Sequence, residues 1–378
     1  MTEDGNTGDE TSGRFEVRPR RRFLRPLLTL LVFFPVVAAL LAGGVFLYGK
    51  WRFNAPGPAE TPTVVWLTPG LGLSAIAAKL HDAHVVEEAL IFRTGVRLGR
   101  ASGSLKAGEY EIPARASMAD IVRILREGKS IVHQITIPEG LTSIQAMEIV
   151  KADPVLTGEM PLLPPEGSLL PETYNFSRGT TRAQIVQRMQ KSATALLNDL
   201  WPNRAQNLPV RTPQEAIILA SIVEKETGIA SERPKVAAVF VNRLRKPMRL
   251  QSDPTIIYGI TGGKGPLGRP IRRSELDGLT PYNTYQIDGL PPTPICNPGR
   301  ASIEAVLNPP ATDDLYFVAD GTGGHAFSRS LGEHERNVSR WRQVEKKSTK
   351  SPEKPAEKAS AKDAAVIPLQ APPGHAGH

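Results

Sequence analysis

Residues 212–228 read Thr-Pro-Gln-Glu-Ala-Ile-Ile-Leu-Ala-Ser-Ile-Val-Glu-Lys-Glu-Thr-Gly, which predicts a nearly all-apolar helix that ends on two carboxylates. Thr212 can cap this helix, Pro213 suits its first position, and Glu215 completes a capping box. The apolar residues of 216–223 surround the helix axis, so we expect the helix to be buried on most sides. A glycine closes the stretch and is a natural helix stop.

The two carboxylates at the end of the helix are expected to have different surroundings. Glu224 and Glu226 lie roughly 200° apart around the axis. Glu226 lies over Ile222 and Val223, whereas Glu224 lies over Ser221. Burial and the negative end of the helix dipole both favour a protonated carboxyl group. Glu226 is therefore the candidate proton donor near neutral pH, and the alternative is that Glu-Lys-Glu is only a solvated helix end.

The end of this helix and the sequence after it contain a series of ordered blocks rather than one short motif. The blocks are 220–227, 236–244, 248–259, 281–285, 289–292, 315–321 and 323–327. Together they resemble the endolytic murein transglycosylases, the MltG/YceG-like family, over about residues 62–342. In that family the second Glu of a Glu-Lys-Glu-Thr block is the catalytic acid/base. The resemblance therefore implies that Glu226 is the catalytic residue of a lytic transglycosylase, a carbon-oxygen lyase.

The resemblance also implies a reaction. The enzyme would cleave the MurNAc-β-1,4-GlcNAc bond of nascent peptidoglycan strands without water and so end strand elongation. Glu226 would protonate the leaving oxygen and then remove the proton of the MurNAc 6-hydroxyl, which closes a 1,6-anhydro ring. Intramolecular attack is favoured because the nucleophile is already positioned. A second carboxylate is not required, and no metal or other cofactor is implied.

The expected substrate-binding residues come from the same blocks. Asn283 is expected to hydrogen-bond an N-acetyl or hydroxyl group. Tyr258 and Tyr282 can pack on sugar rings, although core packing with a bonded hydroxyl is the alternative for each. Gln251 has no competing structural signature and is favoured as a groove residue, and Glu224 completes the predicted substrate-binding set.

Other polar residues have a weaker connection to the chemistry. Asp253 precedes a proline and a short helical run, so we expect a helix N-cap there. His325 is a minor candidate for a groove contact. Cys296 lies in a proline-rich loop without an evident base, which argues against a catalytic thiol. His81 and His84 lack the further ligands that a metal site would need.

The composition excludes several classes of protein. The chain has 378 residues, of which 40% are hydrophobic and 22% charged, and its net charge is +8. This length is ample for one or two globular domains. The basic excess is spread along the chain without the basic-aromatic pattern of a nucleic-acid module, so no nucleic-acid partner is expected. A lone cysteine cannot form an intramolecular disulfide.

An uncharged run near the N-terminus predicts a membrane helix. Residues 27–48 would form a helix about 33 Å long, which spans a hydrocarbon layer of roughly 30 Å. Arginines within 18–25 should keep the N-terminus cytoplasmic, which places the catalytic domain in the periplasm. The prediction is a single-pass protein of the cell inner membrane. The alternative is a signal peptide cleaved after Ala42, but the run exceeds the usual core of roughly 7–15 residues.

The predicted fold class is α+β, with a LysM-like α/β N-terminal module before a mixed helical lytic transglycosylase domain. Residues 64–72 and 134–142 each read as a strand and turn that precede a helix, which resembles the opening of a LysM unit. The alternative is a common strand-turn-helix unit without a carbohydrate role. The predicted segments are a disordered basic cytoplasmic segment (1–26), a transmembrane helix (27–48), a linker (49–61), the module (62–205), the catalytic domain (206–343) and a disordered tail (344–378).

The resemblance implies partners as well as chemistry. They are peptidoglycan glycan strands, the inner membrane, and penicillin-binding proteins with other elongation or division proteins. One rival hypothesis is a non-catalytic, membrane-anchored scaffold that binds peptidoglycan. A second is a lysozyme-like hydrolase, which would use water and leave reducing ends instead of anhydro ends.

Overall fold

The computed structural model describes residues 24–350, and most of the predicted cytoplasmic segment and tail lies outside the described residues. Helices and two-stranded sheets alternate along this part of the chain, which confirms the predicted α+β class. The helices are α1 (Leu24–Asn54), α2 (Leu73–Asp82), α3 (Ala89–Leu98), α4 (Met118–Glu127), α5 (Ser143–Ala152), α6 (Arg182–Leu200), α7 (Pro213–Glu226), α8 (Arg233–Arg245), α9 (Asp253–Thr261), α10 (Arg273–Asp277), α11 (Arg300–Leu307) and α12 (Leu331–Lys350). The strands are β1 (Thr63–Leu67), β2 (Gly108–Ile112), β3 (His133–Thr136), β4 (Thr173–Phe176), β5 (Tyr316–Ala319) and β6 (His325–Ser328).

The described chain divides into two compact units. The first contains residues 24–133 and Asn175–Gly179, and the second contains 134–174 and 180–350. The predicted border between module and catalytic domain, after residue 205, lies inside the second unit. The physical reason is a shared core, because Leu170 and Leu196 pack in the same apolar cluster as the residues of α7.

The first unit is built on a strand-helix-helix-strand order. β1 pairs antiparallel with β2, with Val65 opposite Tyr110, and the chain between them forms α2 and α3. The two strands and α2 to α4 enclose one apolar core, whose fully buried side chains include Phe92 and Ile121. The predicted strand and helix after residue 64 are therefore present as β1 and α2.

The first helix extends beyond its predicted end. Its part from Leu30 to Asn54 has a mean hydropathy of 2.6 and is not buried, which is consistent with a single membrane anchor. The first residues of the predicted linker continue this helix to Asn54. Two contacts hold that end in place, because the Phe53 ring packs against Gly95 and Arg52 forms ion pairs with Glu87 and Glu88.

The second unit is organised around α7, which begins and ends where the sequence predicts. The Thr212 hydroxyl accepts a hydrogen bond from the Glu215 amide at 3.1 Å, while the Glu215 carboxylate accepts from the Arg211 amide instead of closing a full capping box. Helices α8 and α11 pack against α7. The late hairpin is also as predicted, with Phe317 of β5 opposite Phe327 of β6.

At the C-terminal end the structure departs from the predicted tail. Helix α12 continues to Lys350, past the predicted start of disorder at 344. The remainder of that tail lies outside the described residues.

Candidate active site

A cleft of about 390 Å³ opens at the C-terminal end of α7. Glu226 is the last residue of this helix and is half-buried there. The cleft is lined by Glu226, Phe240, Arg243, Leu250, Gln251, Asp253, Tyr285, Phe317 and His334. These residues come from α7 to α9, the segment between α8 and α9, the segment between α10 and α11, β5 and α12, so the cleft is assembled from distant parts of the sequence.

The carboxylate of Glu226 has one fixed hydrogen-bond donor. The Ser252 hydroxyl donates to Oε1 of Glu226 at 2.5 Å. Ser252 is itself held from two sides, because its amide donates to the Thr284 hydroxyl at 2.9 Å and its carbonyl accepts from the Thr255 hydroxyl at 2.7 Å. One face of the Glu226 carboxylate is therefore oriented by a buried hydroxyl network.

The surroundings of Glu226 suit proton transfer in both directions. Burial raises the pKa of Glu226 to about 7, and the hydrogen bond from Ser252 lowers it only in part. The negative charge of Asp253 raises the pKa further. At neutral pH both the acid and the carboxylate are populated, which is the condition for a group that acts first as acid and then as base.

Arg243 forms a buried support beneath the cleft. Its Nε donates to the Leu315 carbonyl at 2.7 Å, and its Nη1 donates to the Leu250 carbonyl at 2.8 Å. Gln251 follows with a left-handed φ of 56°, which costs a non-glycine residue on the order of 1 kcal/mol. Arg243 thus holds in place the segment that carries both Gln251 and Ser252.

Asp253 has a different position from the predicted one. Ser252 is the N-cap residue of α9 and Asp253 is its first helical residue. The Asp253 side chain lies in the Glu226 cleft, where its Oδ1 accepts a hydrogen bond from the Tyr285 hydroxyl at 2.7 Å. A second carboxylate therefore faces the same cleft. The block 248–259 contained this residue, but the N-cap interpretation hid it.

Glu224 is directed away from the cleft, as the helical geometry predicted. Its Oε2 accepts from the Ser302 hydroxyl at 2.7 Å and from the Gly299 amide at 3.0 Å, and its Oε1 pairs with Arg233 at 3.0 Å. This buried carboxylate fixes the start of α11 against α7. Its oxygens are engaged by the protein in this structure, and the predicted substrate contact of Glu224 stays a prediction.

Asn283 is fully buried, and its side chain is saturated with hydrogen bonds. Its amide nitrogen donates to the carbonyls of Glu275, Leu276 and Gly278, and its Oδ1 accepts from the Tyr285 amide at 3.0 Å. The predicted contact with an N-acetyl group needs an accessible amide. In this structure the Asn283 side chain shapes the turn that brings Tyr285 to Asp253, and its contact with substrate stays a prediction.

Tyr258 and Tyr282 lie together, with ring centroids 5.2 Å apart. The Tyr258 hydroxyl donates to Glu166 at 3.3 Å, and the Tyr282 hydroxyl bonds with that of Thr293 at 2.8 Å. Both are half-buried, and neither lines the Glu226 cleft. Their contact with a sugar stays a prediction. Of the five predicted substrate-binding residues, the structure brings Gln251 to the same cleft as Glu226.

Two histidines lie on this side of the second unit. The Nδ1 of His325, the minor groove candidate, bonds with Glu232 at 2.6 Å. His334 lines the cleft and stacks on Tyr316 at 5.1 Å. Burial lowers the pKa of His334, so it is neutral at neutral pH. No motif marked His334, because it lies on α12 outside every recognised block.

The fold and cleft define a class of α+β protein in which a helix-terminal carboxylic acid is tuned for proton transfer near pH 7. Residues 65–340 match the model of the YceG-like family, and the chain belongs to that family. The sequence thus carries the family's pattern through both compact units.

Several known proteins are similar to this chain. The endolytic murein transglycosylase of Bacillus subtilis (strain 168) is 32% identical over 330 residues, which is 79% of this chain and 90% of that protein. The endolytic murein transglycosylase of Streptococcus pneumoniae serotype 2 is 28% identical over 365 residues, covering 82% of this chain and 64% of that protein. A YceG-like protein of Listeria monocytogenes with a crystal structure is 31% identical, with a TM-score of 0.46, covering 74% of this chain and 99% of that one.

Proposed function

We propose that this protein is a membrane-anchored peptidoglycan lytic transglycosylase with Glu226 as its acid/base. The observation that carries the proposal is the pKa of Glu226, raised by burial to about 7 in a cleft of a YceG-like chain. The names of the Bacillus and Streptococcus relatives supply the substrate class, murein. The cut within nascent strands and the 1,6-anhydroMurNAc end belong to the proposal.

The proposed reaction uses one residue twice. Protonated Glu226 gives its proton to the glycosidic oxygen as the bond from that oxygen to the MurNAc anomeric carbon breaks. The resulting carboxylate then takes the proton of the MurNAc 6-hydroxyl, whose oxygen bonds to the anomeric carbon. The Ser252 hydrogen bond stabilises this carboxylate between the two transfers. Protons balance, and Glu226 returns to its starting state.

Asp253 and Gln251 have supporting roles in the proposal. The bond-breaking step builds positive charge on the anomeric carbon and ring oxygen. The Asp253 carboxylate, oriented by Tyr285, provides negative charge in the same cleft. Gln251 is exposed at the cleft and offers an amide to sugar hydroxyls. The apolar Phe240 and Phe317 also line the cleft and limit access of water to the acid.

Carbohydrate binding by the first unit is a further part of the proposal. The β1-α2-α3-β2 order with an antiparallel strand pair supports a LysM-like module. Apolar helix α1 supports anchoring, and the arginines before it favour an inner-membrane protein with a cytoplasmic N-terminus. Both units would then lie in the periplasm, beside newly made glycan. Protein partners from the elongation or division machinery remain a prediction of the family resemblance.

The decisive test compares the products of the full-length protein and its Glu226→Gln variant, both in detergent, on purified glycan strands. Mass spectrometry should find products about 18 Da lighter than hydrolytic ones, which is the mass of the water that ring closure does not consume. The variant should yield none. Glu304→Gln, on the surface of the same unit, is the matched control and should behave as the wild type.

Two other outcomes would redirect the assignment. Products that carry a reducing end would make water the nucleophile, and the Asp253 carboxylate would become the candidate partner of Glu226 in a hydrolase. Bound glycan without any product from the wild-type protein would favour the scaffold hypothesis.

A further inference from the structure

Helix α3 has two apolar faces, although a surface helix needs only one. Phe92 and Val96 point into the core of the first unit and are fully buried. On another side, Leu90 and Leu98 are 66% and 67% exposed. They are eight positions apart and so lie on one stripe of the helix. Among the described residues, most of the surface of this second stripe is therefore left uncovered.

The exposed stripe borders the end of the membrane helix. Gly95 of α3 lies against the Phe53 ring of α1, at a distance that leaves no room for a larger residue. Beside this contact, α1 and α3 enclose an apolar cleft of about 760 Å³. Its walls come from α1 between Ala42 and Asn54 and from α3 between Leu90 and Leu98.

The position of this cleft along α1 fixes its depth. The predicted transmembrane helix ends at Tyr48, and the cleft reaches back to Ala42. At a rise of 1.5 Å per residue, the cleft extends about 9 Å into the apolar part of the helix. Helices that lie in a membrane interface bury their apolar face by roughly 5–10 Å. The depth of the α1–α3 cleft matches that range.

Charged residues around the stripe suit the same location. Lys50 of α1 and Arg97 and Arg100 at the end of α3 are exposed. Cationic side chains next to an apolar stripe are attracted to anionic lipid headgroups. The ion pairs of Arg52 with Glu87 and Glu88 hold α3 against α1, so α3 cannot leave the membrane surface without separating from the anchor.

We propose that α3 is an interfacial helix of the bilayer that α1 spans. Leu90 and Leu98 insert at the boundary between headgroups and acyl chains, and lipid acyl chains fill the α1–α3 cleft. The inference rests on the proposed membrane anchoring of α1 and is independent of the catalytic chemistry of Glu226.

The test places a fluorescent probe on the stripe of the full-length protein in phosphatidylethanolamine and phosphatidylglycerol vesicles. A bimane label on Leu98→Cys should lose most of its fluorescence with lipids that carry a shallow doxyl quencher, and it should resist aqueous iodide. The same label on Glu111→Cys, exposed on β2 of the same unit, should show the reverse. Native Cys296 is buried, and burial raises the pKa of its thiol, so background labelling is low.

Flotation of the protein with the vesicles separates the premise from the inference. If the wild-type protein does not float with the vesicles, membrane anchoring by α1 is refuted, and the proposal for α3 is overturned with it. A protein that floats but carries an iodide-accessible, unquenched label at Leu98→Cys would overturn the proposal alone. Protection from iodide without lipid quenching would indicate a protein partner on this face, which also contradicts it.

A second variant guards against a label that itself drives insertion. The bimane label is placed on Leu90→Cys, once with native Leu98 and once with Leu98→Asp. Lipid quenching of the label is expected with native Leu98 and should be lost with Leu98→Asp. Both positions are exposed, so the fold should tolerate the changes. Unchanged quenching in the aspartate variant would contradict insertion of the stripe.

Discussion

The Ser252 hydroxyl donates to the Glu226 carboxylate at 2.5 Å, across 26 positions of sequence. This bond favours the charged form and so opposes the effect of burial on the pKa of Glu226. Ser252→Ala should therefore raise that pKa above its value of about 7, by about one unit if a charge-assisted bond contributes about 1.5 kcal/mol. The change in the pKa of Glu226 can be measured from the acidic and basic limbs of the pH–rate profile.

The matched control for this variant is Ser302→Ala. Ser302 makes the equivalent bond to Glu224, at 2.7 Å, on another face of α7. Its removal should lower thermal stability and leave the pH–rate profile where it was. An unshifted profile in Ser252→Ala would contradict the role of Ser252 in tuning Glu226.

The raised pKa of Glu226 also predicts how stability depends on pH. Folding raises this pKa from an ordinary 4.5 to about 7, so the unfolded chain loses this proton more readily than the folded one. Stability from this group is complete below pH 4.5 and is lost as pH rises through 7, by up to about 3 kcal/mol. Glu226→Gln should remove that loss.

Thermal unfolding in detergent at several pH values measures the effect. The melting temperature of Glu226→Gln should exceed that of the wild type at pH 8, and the difference should shrink towards pH 4. A constant difference across this range would mean that Glu226 is not the group that titrates.

Asp253 is expected to contribute to both rate and pH dependence. Asp253→Asn removes a negative charge beside Glu226, so the pKa of Glu226 should fall and the profile should move to lower pH. The rate should fall by roughly 10²-fold if Asp253 stabilises the positive charge of the transition state. Tyr285→Phe, which removes only the 2.7 Å hydrogen bond to Asp253, should have a smaller effect on both. The pH–rate profiles of Asp253→Asn and Tyr285→Phe, measured beside that of the wild type, give both the change in rate and the shift in pH.

Asn283 should matter for stability more than for substrate binding. Asn283→Ala removes the side-chain donor of three backbone carbonyls, of which, among the described residues, only that of Leu276 keeps another side-chain donor, Gln286, at a cost of about 2–3 kcal/mol. Gln251→Ala, at an exposed cleft position, should instead raise KM with little change in melting temperature. An Asn283→Ala variant with a raised KM and an unchanged melting temperature would instead support the predicted contact of Asn283 with the sugar.

Local features of the fold could be predicted because their causes are local. Helix α7 begins at Pro213 and ends at Glu226, since its cap, its apolar run and its stop all lie within one stretch. The late hairpin was predictable for the same reason, because two apolar strands flank a glycine-rich turn. The tuning of Glu226 followed from its position over apolar neighbours at a helix end.

Features that depend on distant contacts could not be predicted in this way. Asp253 reads locally as a cap, and only the Tyr285 hydroxyl, 32 positions away, places it as a cleft residue. His334 reaches the cleft through the packing of α12, which no local pattern encodes. Residues 49–54, predicted as the first part of a linker, continue α1 and contact α3 through Phe53 and Gly95, a contact that no local pattern encodes.

If α1 is the proposed membrane anchor, its unbroken course into the first unit leaves no flexible segment between bilayer and protein. Arg52 and Phe53 hold the last turn of the helix against α3, so the first unit cannot rotate independently of α1. One residue inserted into the apolar run would rotate the first unit by about 100° around the helix axis and change its distance from the membrane by about 1.5 Å. With a flexible linker, the first unit could keep its orientation after such an insertion. With a continuous rigid helix, the rotation and the displacement are passed on to the first unit and to any ligand bound to it.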